Sequence, residues 1–342
     1  MATDEPVVTM KVLAQHLGVS VATVSNAFSR PDQLSAQLRQ DILAAADQLG
    51  YLGPHAAGRA LRSGRHDVCG FLYGGELAST FLDPYSVLFL AGLSESVEAG
   101  GASVLLLRAT GADGDDSALR RAAIDAVVAP SVNAAGEHLA ILKARGVRVV
   151  GTQQAPSGDW VAIDNVEAGR LVARHLAGLG HRDVTVIAPV NASVPVAEPL
   201  AEPALTGYLA DRVAGIREEL PGVRVIGCGG NTREAGRQAC AVVLDVHRRP
   251  SALIALSDLV AFGVADAARQ RGLTLGGELS LTGFDDLPDA AFAGLTTVRQ
   301  PIREKGRLSG RLAMDPDLPE RQVTLPIELV VRHSTGPAQT LT

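Results

Sequence analysis

The stretch Val8–Leu61, VTMKVLAQHLGVSVATVSNAFSRPDQLSAQLRQDILAAADQLGYLGPHAAGRAL, has the pattern of a small all-α unit. An apolar-periodic segment, Val12–Leu17, is followed by a turn at Gly18–Val19. Ser20 then stands where a helix N-cap belongs, directly before Val21–Phe28. Two short helices joined in this way form a helix-turn-helix, whose second helix enters the major groove of DNA. The stretch therefore predicts a DNA-binding headpiece.

Two further segments follow the helix-turn-helix. Ser35 precedes Ala36–Leu49, where apolar residues recur at helical spacing, and this pattern predicts a third helix that closes a small core. After an interruption by glycine and proline, Ala56–Leu61 again favours a helix, although Gly58 weakens it. We therefore expect a headpiece over residues 8–54, a hinge helix and linker over 55–65, and a separate domain over 66–342.

Charge separates the N-terminal part from the rest of the chain. The formal net charge is -6, but residues 8–65 hold six lysines and arginines against three aspartates, a local balance of +3. The first residues, MATDEPVV, do not resemble a signal peptide, and no apolar run has the length of a membrane helix. We expect a cytoplasmic, nucleoid-associated protein that contacts no membrane. Three unpaired cysteines argue against a disulfide framework and a zinc site, and we expect neither metal nor cofactor.

From Val68 onward, short apolar runs alternate with amphipathic helical stretches in two successive series. This alternation is typical of βαβ units and parallel sheets. It predicts an α/β domain with two lobes, each a doubly wound parallel sheet, and a boundary near Trp160–Asp164. Ligands of such sheets bind beyond the carboxyl ends of the strands, so we expect a binding cleft between the lobes.

Motifs along nearly the whole chain resemble the LacI/GalR repressor family. In the headpiece and hinge they are VTMKVLAQHLGVSVATVSNAFS, LGY at Leu49–Tyr51 and ALRSGR at Ala60–Arg65. Further along they are HLAGLGHRDVTVI, RVAGIREEL, SDLVAFG, SLTGFDD, LTTVRQP and ELVVRHST. The resemblance implies a headpiece with a hinge helix, followed by a two-lobed, periplasmic-binding-protein-like effector domain.

The resemblance also implies which residues contact DNA. Val21, Ala22 and Asn26 occupy base-reading positions, and the chemistry agrees because an asparagine can form a bidentate pair with adenine. The remaining DNA contacts are assigned to Thr9, Ser20, Thr23, Ser25 and His55. Leu61 matches a leucine that a hinge helix inserts into the minor groove; packing of this leucine on the effector domain is the alternative.

For the effector cleft the resemblance implies Asp83, Tyr85, Glu167, Arg212, Asn231, Ser257, Asp258, Asp285 and Gln300. A carboxylate beside an arginine fork suits vicinal hydroxyl groups, as in a sugar or nucleoside. Asp258 has an alternative role as a cap or first-turn acid of a helix. Asn231 replaces the aromatic residue that some sugar-binding members place against the ligand ring, which argues against a pyranose.

The resemblance implies a homodimeric transcription regulator, typically a repressor, that binds a pseudo-palindromic operator and responds to a small molecule. No motif of a nucleophile, metal or phosphate site is present, so we do not expect an enzyme. Two alternatives stay open. One is a sugar-binding protein without a role at DNA, and the other is a regulator that answers to a protein partner.

Overall fold

The computed structural model describes residues 8–53, 64–109, 117–129, 136–190, 203–245 and 249–339. The chain divides into two compact units, Met1–His66 and Asp67–Thr342. The expected hinge helix at Ala56–Leu61, with His55 before it, lies outside the described residues. Among the described residues, no helix is both long and apolar enough to span a lipid bilayer.

Within residues 8–53 the structure has the three α-helices that the sequence pattern predicts for the headpiece: α1 (Met10–Leu17), α2 (Val21–Ser29) and α3 (Ala36–Gln48). Their N-caps are Thr9, Ser20 and Ser35, each accepting a hydrogen bond from a backbone N–H of the first turn. Gly18 ends α1 with φ 65°, a left-handed conformation that glycine adopts without strain. Seven buried side chains close the core, namely Leu13, Ala14, Val24, Ala27, Ile42, Ala45 and Ala46.

The second unit contains two six-stranded sheets. The first consists of β1 (Val68–Gly74), β2 (Ser103–Ala109), β3 (Ala126–Ala129), β4 (Arg148–Gly151), β5 (Asp159–Ile163) and β11 (Gln322–Leu325). The second consists of β6 (Val184–Pro189), β7 (Arg224–Cys228), β8 (Ala252–Ala255), β9 (Ser280–Asp285), β10 (Thr296–Arg299) and β12 (Glu328–Val330). Their orders are β11-β5-β4-β3-β1-β2 and β12-β10-β9-β8-β6-β7. Every strand pair is parallel except β10 with β12. The expected two-lobed α/β domain is thus confirmed, with one antiparallel edge strand.

Helices cover both sheets. The first lobe carries α4 (Leu77–Leu82), α5 (Pro84–Ala99), α6 (Ser117–Arg121), α7 (Gly136–Ala144) and α13 (Ile302–Met314). The second lobe carries α8 (Asn165–Gly178), α9 (Tyr208–Glu219), α10 (Arg233–Leu244), α11 (Asp258–Gln270) and α12 (Pro288–Ala293). The chain therefore crosses between lobes three times, after β5, after β10 and after β11.

Pairs of glycines bring neighbouring helices into backbone contact. A Cβ atom at Gly169 of α8 would lie 2.0 Å from the carbonyl oxygen of Arg212 on α9. A Cβ atom at Gly215 of α9 would lie 1.9 Å from the carbonyl oxygen of Val166 on α8. Only glycine permits this approach, which sets the distance between α8 and the helix that carries Arg212.

Candidate DNA-reading helix and effector cavity

The start of α2 presents the side chains that the sequence assigns to base readout. Val21 is 46% exposed although it is apolar, and Ala22 beside it is also exposed. Val24 of the same helix is fully buried in the headpiece core. A helix whose first turn exposes an apolar side chain suits van der Waals contact with a thymine methyl group.

The polar side chains of this helix are held by local hydrogen bonds. Ser20 Oγ accepts from the Thr23 N–H at 3.0 Å and lies 2.8 Å from Thr23 Oγ1. Asn26 Nδ2 donates to Gln33 Oε1 at 3.2 Å, which leaves the side-chain oxygen of Asn26, Oδ1, for another partner. Ser25 is half-buried, and its carbonyl accepts from Ser29 Oγ. Thr9 is exposed and caps α1, so Thr9 and Ser20 have a structural role whether or not they touch phosphate.

A cavity of about 210 Å³ lies between the two lobes of the second unit. Seven of the nine effector residues expected from the sequence line it: Asp83, Tyr85, Arg212, Asn231, Ser257, Asp285 and Gln300. The remaining lining residues were missed by sequence reasoning: Ser86, Thr152, Gln153, Asn165, Tyr208, Leu256 and Lys305.

Strand ends explain much of this convergence. Asp285 is the last residue of β9, Ser257 follows β8 by two residues, and Asn231 follows β7 by three. In the first lobe, Thr152 and Gln153 directly follow β4. Because the strands within each sheet run parallel, their carboxyl ends meet at one edge of the sheet, where such folds bind ligands.

Arg212 is fixed from several sides. It is 4% exposed, and its guanidinium lies 4.4 Å from the centre of the Phe284 ring and 4.9 Å from that of Tyr208. Its Nε donates to Asn165 Oδ1 at 3.1 Å, and one Nη donates to the Leu256 carbonyl at 2.8 Å. Arg212 lines the cavity, and its remaining N–H groups form no further hydrogen bond among the described residues.

Asp285 is the buried carboxylate of the cavity. It is 6% exposed and accepts from Gln300 Nε2 at 2.6 Å. Burial raises the pKa of Asp285 to about 7, although the charge of Arg212 acts in the opposite direction. Gln300 Oε1 is buried and has no hydrogen-bond partner in the described part of the chain. The pair therefore offers a carboxylate oxygen and an amide oxygen to a ligand.

Lys305 adds a second basic side chain. It is 5% exposed, and its Nζ donates to the Tyr85 hydroxyl at 3.3 Å. Burial, followed by the charge of Arg212, lowers the pKa of Lys305 to about 7. One sequence signal could have found it: Lys305 stands on the buried face of α13 between Ile302 and Ser309, where a lysine is unusual.

Glu167 and Asp258 do not line the cavity. Glu167 is half-exposed and pairs with Arg170 on the same helix. Asn165, two residues earlier, faces the cavity instead because helix geometry turns successive residues to different faces. Asp258 is completely buried and accepts from Thr297 Oγ1 at 2.7 Å and from the Leu287 N–H at 2.8 Å. These contacts favour its alternative role as a structural acid in the first turn of α11.

Asp83 lines the cavity, but local bonds occupy its carboxylate. It caps α5, with Oδ1 accepting from the Tyr85 N–H at 3.2 Å and Oδ2 from Ser86 Oγ at 2.7 Å. Asp83 therefore shapes the cavity wall, while Asp285 presents the more available carboxylate.

Comparisons with known proteins match both units. Residues 9–53 match the family described as "Bacterial regulatory proteins, lacI family", and residues 173–335 match the "Periplasmic binding protein-like domain". An HTH-type transcriptional regulator of Mycolicibacterium smegmatis is 34% identical, over 96% of each chain.

Solved structures of other proteins share this fold. A LacI family transcriptional regulator from Corynebacterium glutamicum has a TM-score of 0.67 at 28% identity, over 96% of this chain and 98% of that one. The lac repressor dimer bound to operator and the anti-inducer ONPF has a TM-score of 0.75 at 21% identity, over 96% of this chain and 99% of that one. With its helix-turn-helix, its two-lobed α/β domain and a relative of this similarity over its length, the chain belongs to the LacI family of bacterial transcriptional regulators.

Proposed function

We propose that this chain is a homodimeric repressor that binds a pseudo-palindromic operator through α2 and responds to a small polyhydroxy effector. The observation that carries the effector part is the cavity, in which buried Arg212 and Asp285 present a charged donor and a charged acceptor. A hydroxyl group both donates and accepts, so a vicinal pair of hydroxyls satisfies the two side chains together.

The size and lining of the cavity support a ligand of about monosaccharide size. Its volume of about 210 Å³ is below the roughly 300–1,000 Å³ of sites for drug-sized ligands. Asn231 gives the lining a polar side chain, and the Arg212 guanidinium lies over the Tyr208 ring. Polar contacts from both lobes would therefore orient the ligand.

For operator recognition we propose that Val21, Ala22 and Asn26 contact bases, and that Ser20, Thr23 and Ser25 contact phosphates. Thr9, His55 and a minor-groove contact by Leu61 belong to the same proposal. It is supported by the exposure of Val21 and Ala22 at the start of α2 and by the match of residues 9–53 to the family. The lac repressor, a fold relative, was solved as a dimer on its operator.

The proposal predicts that Arg212→Ala abolishes the effector response and leaves operator binding intact. The full chain would be screened by thermal shift against sugars, polyols and nucleosides, because a ligand of the native state raises its apparent stability. Fluorescence anisotropy with DNA from the upstream region of its own gene then measures operator affinity with and without each hit.

Arg170→Ala is the matched control, because Arg170 is an arginine of the same lobe that pairs with Glu218 outside the cavity. It should retain the full response. An unchanged effector titration in Arg212→Ala would remove Arg212 from the site. A wild-type chain that binds effector with no change in operator affinity would contradict the regulatory role.

A further inference from the structure

The cavity holds more hydrogen-bond donors than acceptors for a ligand to use. Lys305 has three N–H donors, and one of them is directed to the Tyr85 hydroxyl. Arg212 has five, of which one goes to Asn165 and one to the Leu256 carbonyl. Several N–H groups of both cations therefore stay available to a ligand.

Acceptors are fewer because the protein already uses them. Both carboxylate oxygens of Asp83 accept from its own helix, from the Tyr85 N–H and Ser86 Oγ. Asn231 Oδ1 accepts from Ser257 Oγ. Asp285 and Gln300 Oε1 remain, so the N–H donors of Lys305 and Arg212 outnumber the acceptors that these side chains still offer to a ligand.

Lys305 is not part of a structural ion pair among the described residues. Its Nζ contacts the Tyr85 hydroxyl, and no carboxylate of the described chain forms a salt bridge with it. The charge of Asp285 acts on Lys305, but Arg212 shares that carboxylate. A buried ammonium group without an ion-pair partner in direct contact is costly, and a methionine or leucine would fill the same place on the helix without that cost. A lysine in this position is accounted for if a ligand supplies a negative charge in direct contact with its Nζ.

We propose that the effector is an anionic polyhydroxy compound whose acidic group, a carboxylate or a phosphate, binds Lys305 and Arg212 while its hydroxyl groups bind Asp285 and Gln300. This inference rests on the proposed function and narrows its ligand class from polyols in general to sugar acids or sugar phosphates. Charge-assisted bonds from both cations would discriminate the acid from its neutral parent.

The test is isothermal titration of the full chain with acids and their neutral parents. The probes are four pairs of an acid and its neutral parent: D-glucuronate and D-glucose, D-galacturonate and D-galactose, ribose 5-phosphate and ribose, and glucose 6-phosphate and glucose. At least one acid should bind about tenfold or more tightly than its parent, which corresponds to about 1.4 kcal/mol. Binding by the uronates identifies a carboxylate, and binding by the sugar phosphates identifies a phosphate.

Lys305→Met should weaken binding of that acid at least about tenfold more than it weakens binding of the neutral parent. Lys305→Gln provides a second variant of similar volume, and circular dichroism checks the fold of both. Lys143→Met is the matched control, because Lys143 is exposed on α7 outside the cavity and is the other lysine of the effector domain. It should bind as the wild type does.

Three results overturn the inference: no acid of the panel binds, a neutral parent binds as tightly as its acid, or Lys305→Met binds the acid normally. If only a neutral sugar binds and alters operator affinity, the proposed regulatory function is supported and the proposal of an anionic effector is wrong. Conversely, an acid that binds through Lys305 with no effect on operator affinity would retain the ligand class and contradict the regulatory role.

Discussion

At the scale of single residues, the position of Asp285 depends on its neighbours. Its φ of 118° and that of Asp286, 51°, are conformations that side-chain-bearing residues rarely adopt. Asp286 is held by ion pairs with Arg299 and Arg332, both at 2.7 Å. Leu287, which follows Asp286, donates its backbone N–H to the Asp258 carboxylate and is fixed by it. These contacts stabilise the strained turn that directs the Asp285 carboxylate into the cavity.

We therefore expect Asp258→Ala to destabilise the effector domain by about 2–4 kcal/mol, since it leaves the buried Leu287 N–H and Thr297 hydroxyl without their acceptor. Effector affinity should also fall, because the turn that carries Asp285 is no longer fixed. Urea unfolding and a binding titration measure the two effects. Asp289→Ala, an exposed aspartate on α12, is the control; equal unfolding free energies for both variants would show that Asp258 does not hold the turn.

At the scale of elements, glycine contacts between helices position the site. Gly169 on α8 lies directly against the backbone of α9 at Arg212, so the two helices share one fixed separation. Asn165, at the start of α8, bonds the Arg212 side chain across the same contact. Helix α8 thus fixes both the backbone and the side chain of Arg212.

Gly169→Ala is expected to separate α8 from α9, since its Cβ would lie 2.0 Å from the Arg212 carbonyl oxygen. Overpacking of this kind costs about 1–3 kcal/mol, and it should weaken effector binding as Arg212 moves. Gly178→Ala in the same helix is the control, because its Cβ meets no atom within 4 Å. If the two variants unfold at the same urea concentration and bind effector equally, the glycine contact does not set the helix spacing.

At the scale of the whole molecule, a buried histidine joins segments that are distant in the chain. His181 is 2% exposed and lies 2.9 Å from both Ser251 Oγ and Ser280 Oγ and 3.0 Å from the Gly336 carbonyl. It therefore ties the loop before β6 to the starts of β8 and β9 and to the C-terminal segment. Burial lowers the pKa of His181, so the neutral ring is the form that this network accommodates.

Stability should consequently depend on pH through His181. Below about pH 6.5 the unfolded chain takes up a proton that the folded chain does not, so the contribution of His181 to the unfolding free energy falls as pH decreases. The raised pKa values of Asp258 and Asp285 act in the opposite direction, so the test compares variants. In urea unfolding, the free energy of unfolding should fall less between pH 7.5 and pH 5.5 in His181→Gln than in the wild type. His333→Gln, an exposed histidine of the same domain, should keep the wild-type slope; an unchanged slope in His181→Gln would contradict the prediction.

The sequence by itself determined the elements and their order, because their signals are local. N-cap hydroxyls, a glycine turn and helical spacing located the headpiece helices, and apolar runs located β1–β4 and β6–β9. The remaining strands, β5 and β10–β12, were found only in the structure. Since a parallel strand presents its carboxyl end at a known edge, Asp285 and Ser257 could also be placed at the cleft from the sequence, whereas Asn231 was assigned to it through the family resemblance.

The tertiary structure alone decided which distant segments complete the cavity. The pairing of β11 with β5 and the return of α13 to the first lobe bring Lys305 opposite Asp285 and Arg212, and no local signal encodes a contact between residues so far apart. Tertiary packing also decided that Asn165 lines the cavity and Glu167 does not, because this depends on which face of α8 packs against α9. Local spacing fixes the face of a helix only relative to itself, whereas packing of the whole domain fixes what that face meets.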